Sequence, residues 1–224
     1  MLLDLTPYKN PDALRDLVAS LQDARAHYAK RDLIDSARSI GASGSMFRVF
    51  SGIEKPSLIY QNWAFTQTQS QEFERQVLSL ETQEHFEKFH SALGDSLFVY
   101  WKDNARGDGA EKELTTSHKL KLLDVFIKRA CELRLSNPMM NDKLLKFGHV
   151  PLDSLVFSAL DNIFSGSLLL TGRSMGEVKK DPAYRFYQNL IRELMRELEP
   201  PKQYPPLYFE FYAWDLGRET RAHP

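Results

Sequence analysis

Apolar residues recur at intervals of three and four along most of the chain, which is the spacing of one face of an α-helix. The first run holds Leu14, Leu17, Val18, Leu21 and Ala24. It follows Asn10-Pro11, which offers a capping side chain and then a proline suited to the first helical turn. The pattern predicts an amphipathic helix that runs to about Ser39.

Helical spacing returns in five later stretches. They are Ser70–Asn104, Thr116–Leu135, Asn137–Lys146, Pro151–Ile163 and Asp181–Leu198. An aromatic run, Leu207–Leu216, could form a strand, because aromatic residues favour strands. We prefer a helix there, since Pro206 can occupy its first turn and Gly217 supplies a C-terminal stop. The stretch Ser57–Thr68 is left open between a short helix, an irregular packed segment and an aromatic surface for a partner.

These patterns together predict an all-α fold of about seven helices with short irregular connections. No regular alternation of strands and helices is present, which argues against a parallel α/β sheet. We expect one compact domain over residues 1–224. The glycine-containing stretch at 104–113 marks a loop, and a subdomain boundary there is left open.

Composition narrows the classes of function. Lys+Arg number 29 and Asp+Glu 30, so no global basic field exists to attract nucleic acid. The single cysteine, Cys131, excludes an intramolecular disulfide and suits a reducing compartment. The N-terminus does not resemble a signal peptide, and no apolar run reaches the roughly 18 residues of a membrane span. We expect a soluble, cytoplasmic protein that does not enter a membrane.

Basic side chains concentrate in the stretch 119–134. Its candidate binding residues are Lys119, Lys121, Lys128 and Arg129, and Arg173 joins them from later in the chain. Such a helix could bind phosphate groups. The simpler interpretation is that lysine stems cover a helix surface.

Residues Gly172–Gly176 fit the pattern G-x-S-x-G and resemble the nucleophile elbow of lipases and esterases over these five residues alone. That resemblance implies Ser174 as the nucleophile, with Asp215 and His223 after it in the order of such a triad. The preceding segments are helical where that family needs strands, and His223 is the penultimate residue. The sequence therefore favours a tight loop between two helices.

Two further polar residues precede that loop, and both are candidates for catalysis. Asp153 stands where a helix begins, which indicates a capping role, and His149 stands in an extended segment before a proline. His85 and His90 are five residues apart, which is not the i, i+4 spacing of a helical metal pair. We predict no metal and no cofactor from these patterns.

Lacking a nucleotide, metal or nucleophile constellation, the sequence favours a binding or regulatory protein that acts through protein partners or as a homo-oligomer. The aromatic run near the C-terminus supports either core packing or a partner surface. The alternatives are a nucleic-acid-associated protein that uses the basic helix, and a hydrolase-type enzyme centred on 147–178.

Overall fold

The computed structural model describes residues 8–34, 36–107, 114–168, 178, 181–199 and 202–222. Within those ranges the fold is all-α, as predicted, with two short 3-10 helices at Ala37–Ile40 and Gly44–Phe50. The α-helices are α1 (Pro11–Ala29), α2 (Pro56–Thr68), α3 (Gln71–Leu78), α4 (Gln83–Asn104), α5 (Thr116–Glu132), α6 (Pro138–Phe147), α7 (Ser154–Ile163), α8 (Asp181–Glu197) and α9 (Leu207–Ala222). None of these described helices is both long and apolar enough to cross a bilayer.

Helix ends depart from the sequence predictions where the backbone finds other partners. The first helix stops at Ala29 rather than near Ser39, because the backbone of Asp32 pairs with Glu132 and Arg134 in an isolated bridge. The stretch 70–104 is two helices. The hydroxyl groups of Ser70 and Thr82 accept hydrogen bonds from the first turns of α3 and α4.

The aromatic run near the C-terminus is helical, as preferred, but Gly217 does not end it. Helix α9 continues to Ala222. A Cβ atom at Gly217 would lie 2.6 Å from Cδ2 of Leu155 in α7. The glycine therefore permits close approach of α7 and α9 instead of terminating a helix.

Contacts divide the chain into two compact units. Unit 1 comprises Met1–Ala29 and Val150–Pro224, and unit 2 comprises Lys30–His149. Residues 104–107, where the sequence left a subdomain boundary open, lie within unit 2.

Unit 1 contains α1, α7, α8 and α9. The rings of Tyr28 and Tyr208 stack with centroids 5.8 Å apart and so join α1 to α9. Phe157 of α7 meets Tyr187 of α8 edge-on at 5.2 Å. Both packing contacts bury aromatic area between helices of unit 1.

Unit 2 contains α2 to α6, and α4 packs against both α2 and α5. Its centre is aromatic: the ring of Phe126 lies 5.0 Å from that of Trp63 and 5.6 Å from that of Phe73. These large side chains are almost fully buried. They fix α5 against its neighbours and so define which α5 residues face α4.

Helix α6 is tied to the end of α5 by a buried amide. Asn141 donates to the carbonyl oxygens of Ala130 and Leu133, at 2.8 and 2.6 Å, which would otherwise be unsatisfied at a helix C-terminus. Helix α6 then ends at Phe147, and the Gly148 N–H closes the last turn on Leu144. His149, the last residue of unit 2, follows immediately.

Candidate metal centre

Helix α4 supplies an acidic residue and a histidine to the interior of unit 2. Glu87 and His90 are three residues apart, so their side chains lie on the same face of the helix. The His90 side chain is 5% exposed and the Glu87 side chain 27% exposed. On this face of α4, His90 therefore lies in the interior and Glu87 lies closer to the surface.

Helix α5 supplies Asp124 from its buried side. Leu120 and Ile127, about one turn before and after Asp124, are both buried. The Asp124 side chain is 0% exposed, and its Oδ1 lies 2.8 Å from Nε2 of His90. A carboxyl group with no access to water needs such a partner, since an isolated buried charge is costly.

His149 enters the same region from the end of α6. Its side chain is 1% exposed, and its Nε2 lies 2.8 Å from Oε1 of Glu87. The Gln83 amide donates to the same Glu87 oxygen at 2.9 Å. The Glu87 carboxylate is thus oriented by two donors, one from its own helix and one from the segment after α6.

These side chains form one cluster, which we call the His–carboxylate cluster: Glu87, His90, Asp124 and His149. The ring centroids of the two histidines are 4.8 Å apart at an interplanar angle of 59°. Phe86 packs against both rings, at 5.6 Å from His90 and 5.0 Å from His149. One potential ligand atom from each of His90, Asp124 and His149 lies within 4.8 Å of the others.

The surroundings favour protonation states that suit metal ligands. Burial lowers the pKa of His149, and the hydrogen bond to Glu87 opposes that shift only in part. Burial also disfavours ionisation of Glu87, but hydrogen bonds from His149 and Gln83 outweigh it and lower the pKa of that carboxyl. Near pH 7 the pair therefore consists of a neutral imidazole and a carboxylate, the forms that bind a cation.

The donor set selects a class of ion. Imidazole nitrogen suits zinc and its neighbouring transition metals, whereas calcium requires six to eight oxygen ligands. Neighbouring ligands of a tetrahedral zinc ion are about 3.4 Å apart, so the widest pair here would close by up to about 1.5 Å. Side-chain rotations of that size would bring the three ligand atoms to the spacing of a tetrahedral site.

The structure places the catalytic candidates from the sequence at different positions. His149 lies in the cluster, in unit 2, whereas Asp153 and Asp215 belong to unit 1. Asp153 caps α7, as its position predicted: its Oδ1 accepts from the N–H groups of Leu155 and Val156 at 2.9 and 3.0 Å. Asp215 lies on α9, partly exposed. Arg173, Ser174 and His223 lie outside the described residues.

The basic candidates on α5 are largely engaged with acidic groups. Lys119 pairs with Asp95 at 3.1 Å, and both Lys128 and Arg129 pair with Glu132. Arg129 also donates to the Ser39 carbonyl oxygen at 2.8 Å. Lys121 is partly buried on the same helix. Their neutralisation by nearby carboxylates weakens the field that they could present to a phosphate backbone. Their binding role stays a prediction.

Sequence reasoning missed Glu87 and Asp124. One signal was present for Glu87, which stands three residues before His90 and hence on the same helix face. Asp124 gives a second signal, since it stands among the apolar residues Leu122, Leu123 and Phe126, where a charge needs a partner. The spacing of His85 and His90 could not reveal the cluster. His85 is exposed, and the histidine that lies beside His90 in the cluster is His149.

Comparison with known proteins finds no matching family model, no matching curated protein and no matching solved structure.

Proposed function

We propose that this chain is a metal-binding helical protein whose unit 2 holds one divalent transition metal ion in the His–carboxylate cluster. The observation that carries the proposal is the convergence of His90, Asp124 and His149, all buried, with ligand atoms within 4.8 Å of one another. Three different parts of unit 2 supply them: α4, α5 and the end of α6.

A purely structural role for two His–carboxylate pairs accounts less well for this arrangement. Buried ion pairs contribute little net stability, because desolvation offsets their attraction, and apolar residues of similar size often replace them without loss. The cluster nevertheless places two histidines and the Asp124 carboxylate in a mostly aromatic and aliphatic interior, with the partly exposed Glu87 carboxylate beside them. A bound cation would add to the stability of the folded state, to which the two hydrogen-bonded pairs alone contribute little.

The burial of the cluster favours an ion with a structural role. A catalytic metal keeps a coordination position open to water and substrate, and structural sites are closed by protein ligands. The side chains of His90, Asp124 and His149 are between 0% and 5% exposed, so a substrate would have no approach to an ion among them. An ion here would hold three elements of unit 2 together.

The test is metal binding by the purified full-length chain after removal of metal with a chelator. Equilibrium dialysis against Zn²⁺ or Co²⁺, followed by elemental analysis, is expected to give one equivalent of metal per chain. His90→Ala and His149→Ala should lose that equivalent, and His85→Ala, an exposed histidine on the same helix, should keep it.

Helical content measured by circular dichroism separates loss of a ligand from loss of the fold. Asp124→Asn is a second variant that removes a ligand group, and it is expected to disturb the fold little because it preserves side-chain volume. If the wild-type chain binds no metal above the level of a nonspecific control protein, the proposal is wrong. It is equally wrong if His85→Ala reduces binding as much as His90→Ala does.

A second candidate function is binding to another copy of the chain, and it rests on exposed aromatic surface in unit 1. Phe186 on α8 is 48% exposed and Trp214 on α9 is 40% exposed. Such residues are enriched at protein interfaces. Sedimentation velocity over a range of concentrations should show self-association that Phe186→Ser weakens. A single species of one chain's mass at every concentration would contradict it.

A further inference from the structure

We infer that Glu87 is the fourth ligand of the metal centre, and that it completes a closed, four-coordinate site of two nitrogen and two oxygen ligands. This inference rests on the proposed function, because it assigns a ligand to the same site. The other three ligands are His90, Asp124 and His149.

Position is the first argument. Oε1 of Glu87 lies 2.8 Å from Nε2 of His149, so the carboxylate lies against one of the other three ligands. The three-residue spacing with His90 directs both side chains of α4 to that side of the helix. Coordination by Glu87 would exchange its hydrogen bond with His149 for a bond to the ion.

Charge is the second argument. A divalent cation bound by two neutral imidazoles and the single carboxylate of Asp124 would leave one uncompensated positive charge in a buried site. Such a charge is strongly disfavoured in a medium of low dielectric constant. The carboxylate of Glu87 brings the net charge of the ion and its ligands to zero.

Coordination number is the third argument. Structural zinc is almost always four-coordinate and tetrahedral, and closed by protein side chains. His90, Asp124 and His149 provide three ligands. Glu87 is the acidic side chain that already contacts one of these three, and Gln83 holds its Oε1 in that orientation from one turn earlier. Gln83 is thus the positioning residue for the fourth ligand.

Exposure gives Glu87 a further property. Its side chain is 27% exposed, whereas the side chains of His149 and Asp124 are 1% and 0% exposed. A hydrated ion in solution therefore meets Glu87 first among the four ligands. The partial exposure also lowers the cost of keeping this carboxylate ionised before the ion arrives.

The test uses Co²⁺ as a spectroscopic substitute for Zn²⁺ in the full-length, metal-depleted chain. Four-coordinate Co²⁺ absorbs visible light much more strongly than five- or six-coordinate Co²⁺. The wild-type chain is expected to show the intense four-coordinate bands. Glu87→Gln should weaken those bands and raise the dissociation constant by more than about a hundredfold, beyond the range that is usual for a changed outer-shell partner.

Glu84→Gln is the matched control, since Glu84 lies on the same helix, is exposed and pairs with Lys88. It should leave both the spectrum and the dissociation constant unchanged. If Glu87→Gln keeps the four-coordinate spectrum, Glu87 is not a ligand, whether or not the affinity falls. In that case the proposed metal binding would stand. If the wild-type chain itself binds no Co²⁺, both the metal centre and the role of Glu87 are overturned.

Discussion

Asp124→Asn separates the contribution of the ion from that of the buried hydrogen bond. The substitution preserves the volume of a side chain that is 0% exposed, and it leaves an amide oxygen to accept from Nε2 of His90 at the same 2.8 Å. It removes the negative charge. In metal-free protein the cost is the difference between a charge-assisted and a neutral hydrogen bond, about 1–2 kcal/mol of unfolding free energy.

Zinc should enlarge the difference in unfolding free energy between the wild-type chain and Asp124→Asn. At a free zinc concentration of 100 times its dissociation constant, the wild-type chain gains about 2.7 kcal/mol of unfolding free energy. A variant that lacks the Asp124 carboxylate should bind at least about a hundredfold more weakly. At the same zinc concentration such a variant gains about 0.4 kcal/mol. The zinc-dependent part of the difference is therefore about 2 kcal/mol.

Urea unfolding with and without zinc measures this quantity. Unit 2 contains two buried tryptophans, Trp63 and Trp101, and unit 1 contains Trp214. A Trp214→Phe background makes the fluorescence report on unit 2 alone. The two proteins are compared at pH 7.5 with chelator and then with buffered free zinc. Equal stabilisation of wild type and Asp124→Asn by zinc would refute the reasoning, since it would place the ion elsewhere.

Three other predictions concern single residues. Burial lowers the pKa of His149, so the unfolded chain takes up its proton first as the pH falls. Metal-free protein should therefore lose stability as the pH falls below about 6.5, and His149→Gln should have a shallower pH dependence in urea unfolding at pH 7.5 and 5.5. Gln188 donates to the Val150 carbonyl oxygen at 2.8 Å and accepts from its N–H at 2.9 Å. Gln188→Ala should cost about 2–4 kcal/mol of unfolding free energy, because it leaves both buried groups unpaired, while the exposed Asn189→Ala should cost under about 0.5. Burial raises the pKa of the Cys131 thiol, which is 1% exposed, so native protein should react with iodoacetamide about a hundredfold or more slowly than urea-unfolded protein; comparable rates would contradict its burial.

Local signals in the sequence were sufficient for most helices. Asn10 and Asn137, each before a proline, and Asp153 mark helix starts because their side chains bond to backbone groups two or three residues away. Such contacts can be predicted from neighbouring residues. The end of α1 could not be predicted in this way, because it depends on pairing of Asp32 with the distant residues Glu132 and Arg134.

The candidate site was harder to predict for the same reason. His149 was a candidate because it is a polar residue in an apolar stretch, but its partner Glu87 is 62 positions earlier in the chain. His90 and Asp124 are 34 positions apart. Helical periodicity shows which face of α4 or α5 is buried, but it does not show which residues of the two faces meet. That pairing follows from the packing of α4 on α5, and it requires the structure.

The division of unit 1 between the two ends of the chain has a consequence for the order of folding. Unit 2 is one continuous stretch, so it can complete its core before the ribosome has finished the chain. Helix α1 is synthesised before unit 2, whereas its partners α7 and α9 are synthesised after unit 2. Joining α1 to them closes a loop that contains all of unit 2, at an entropic cost on the order of 4 kcal/mol for an unfolded connection. A unit 2 that is already folded shortens that loop and lowers the cost.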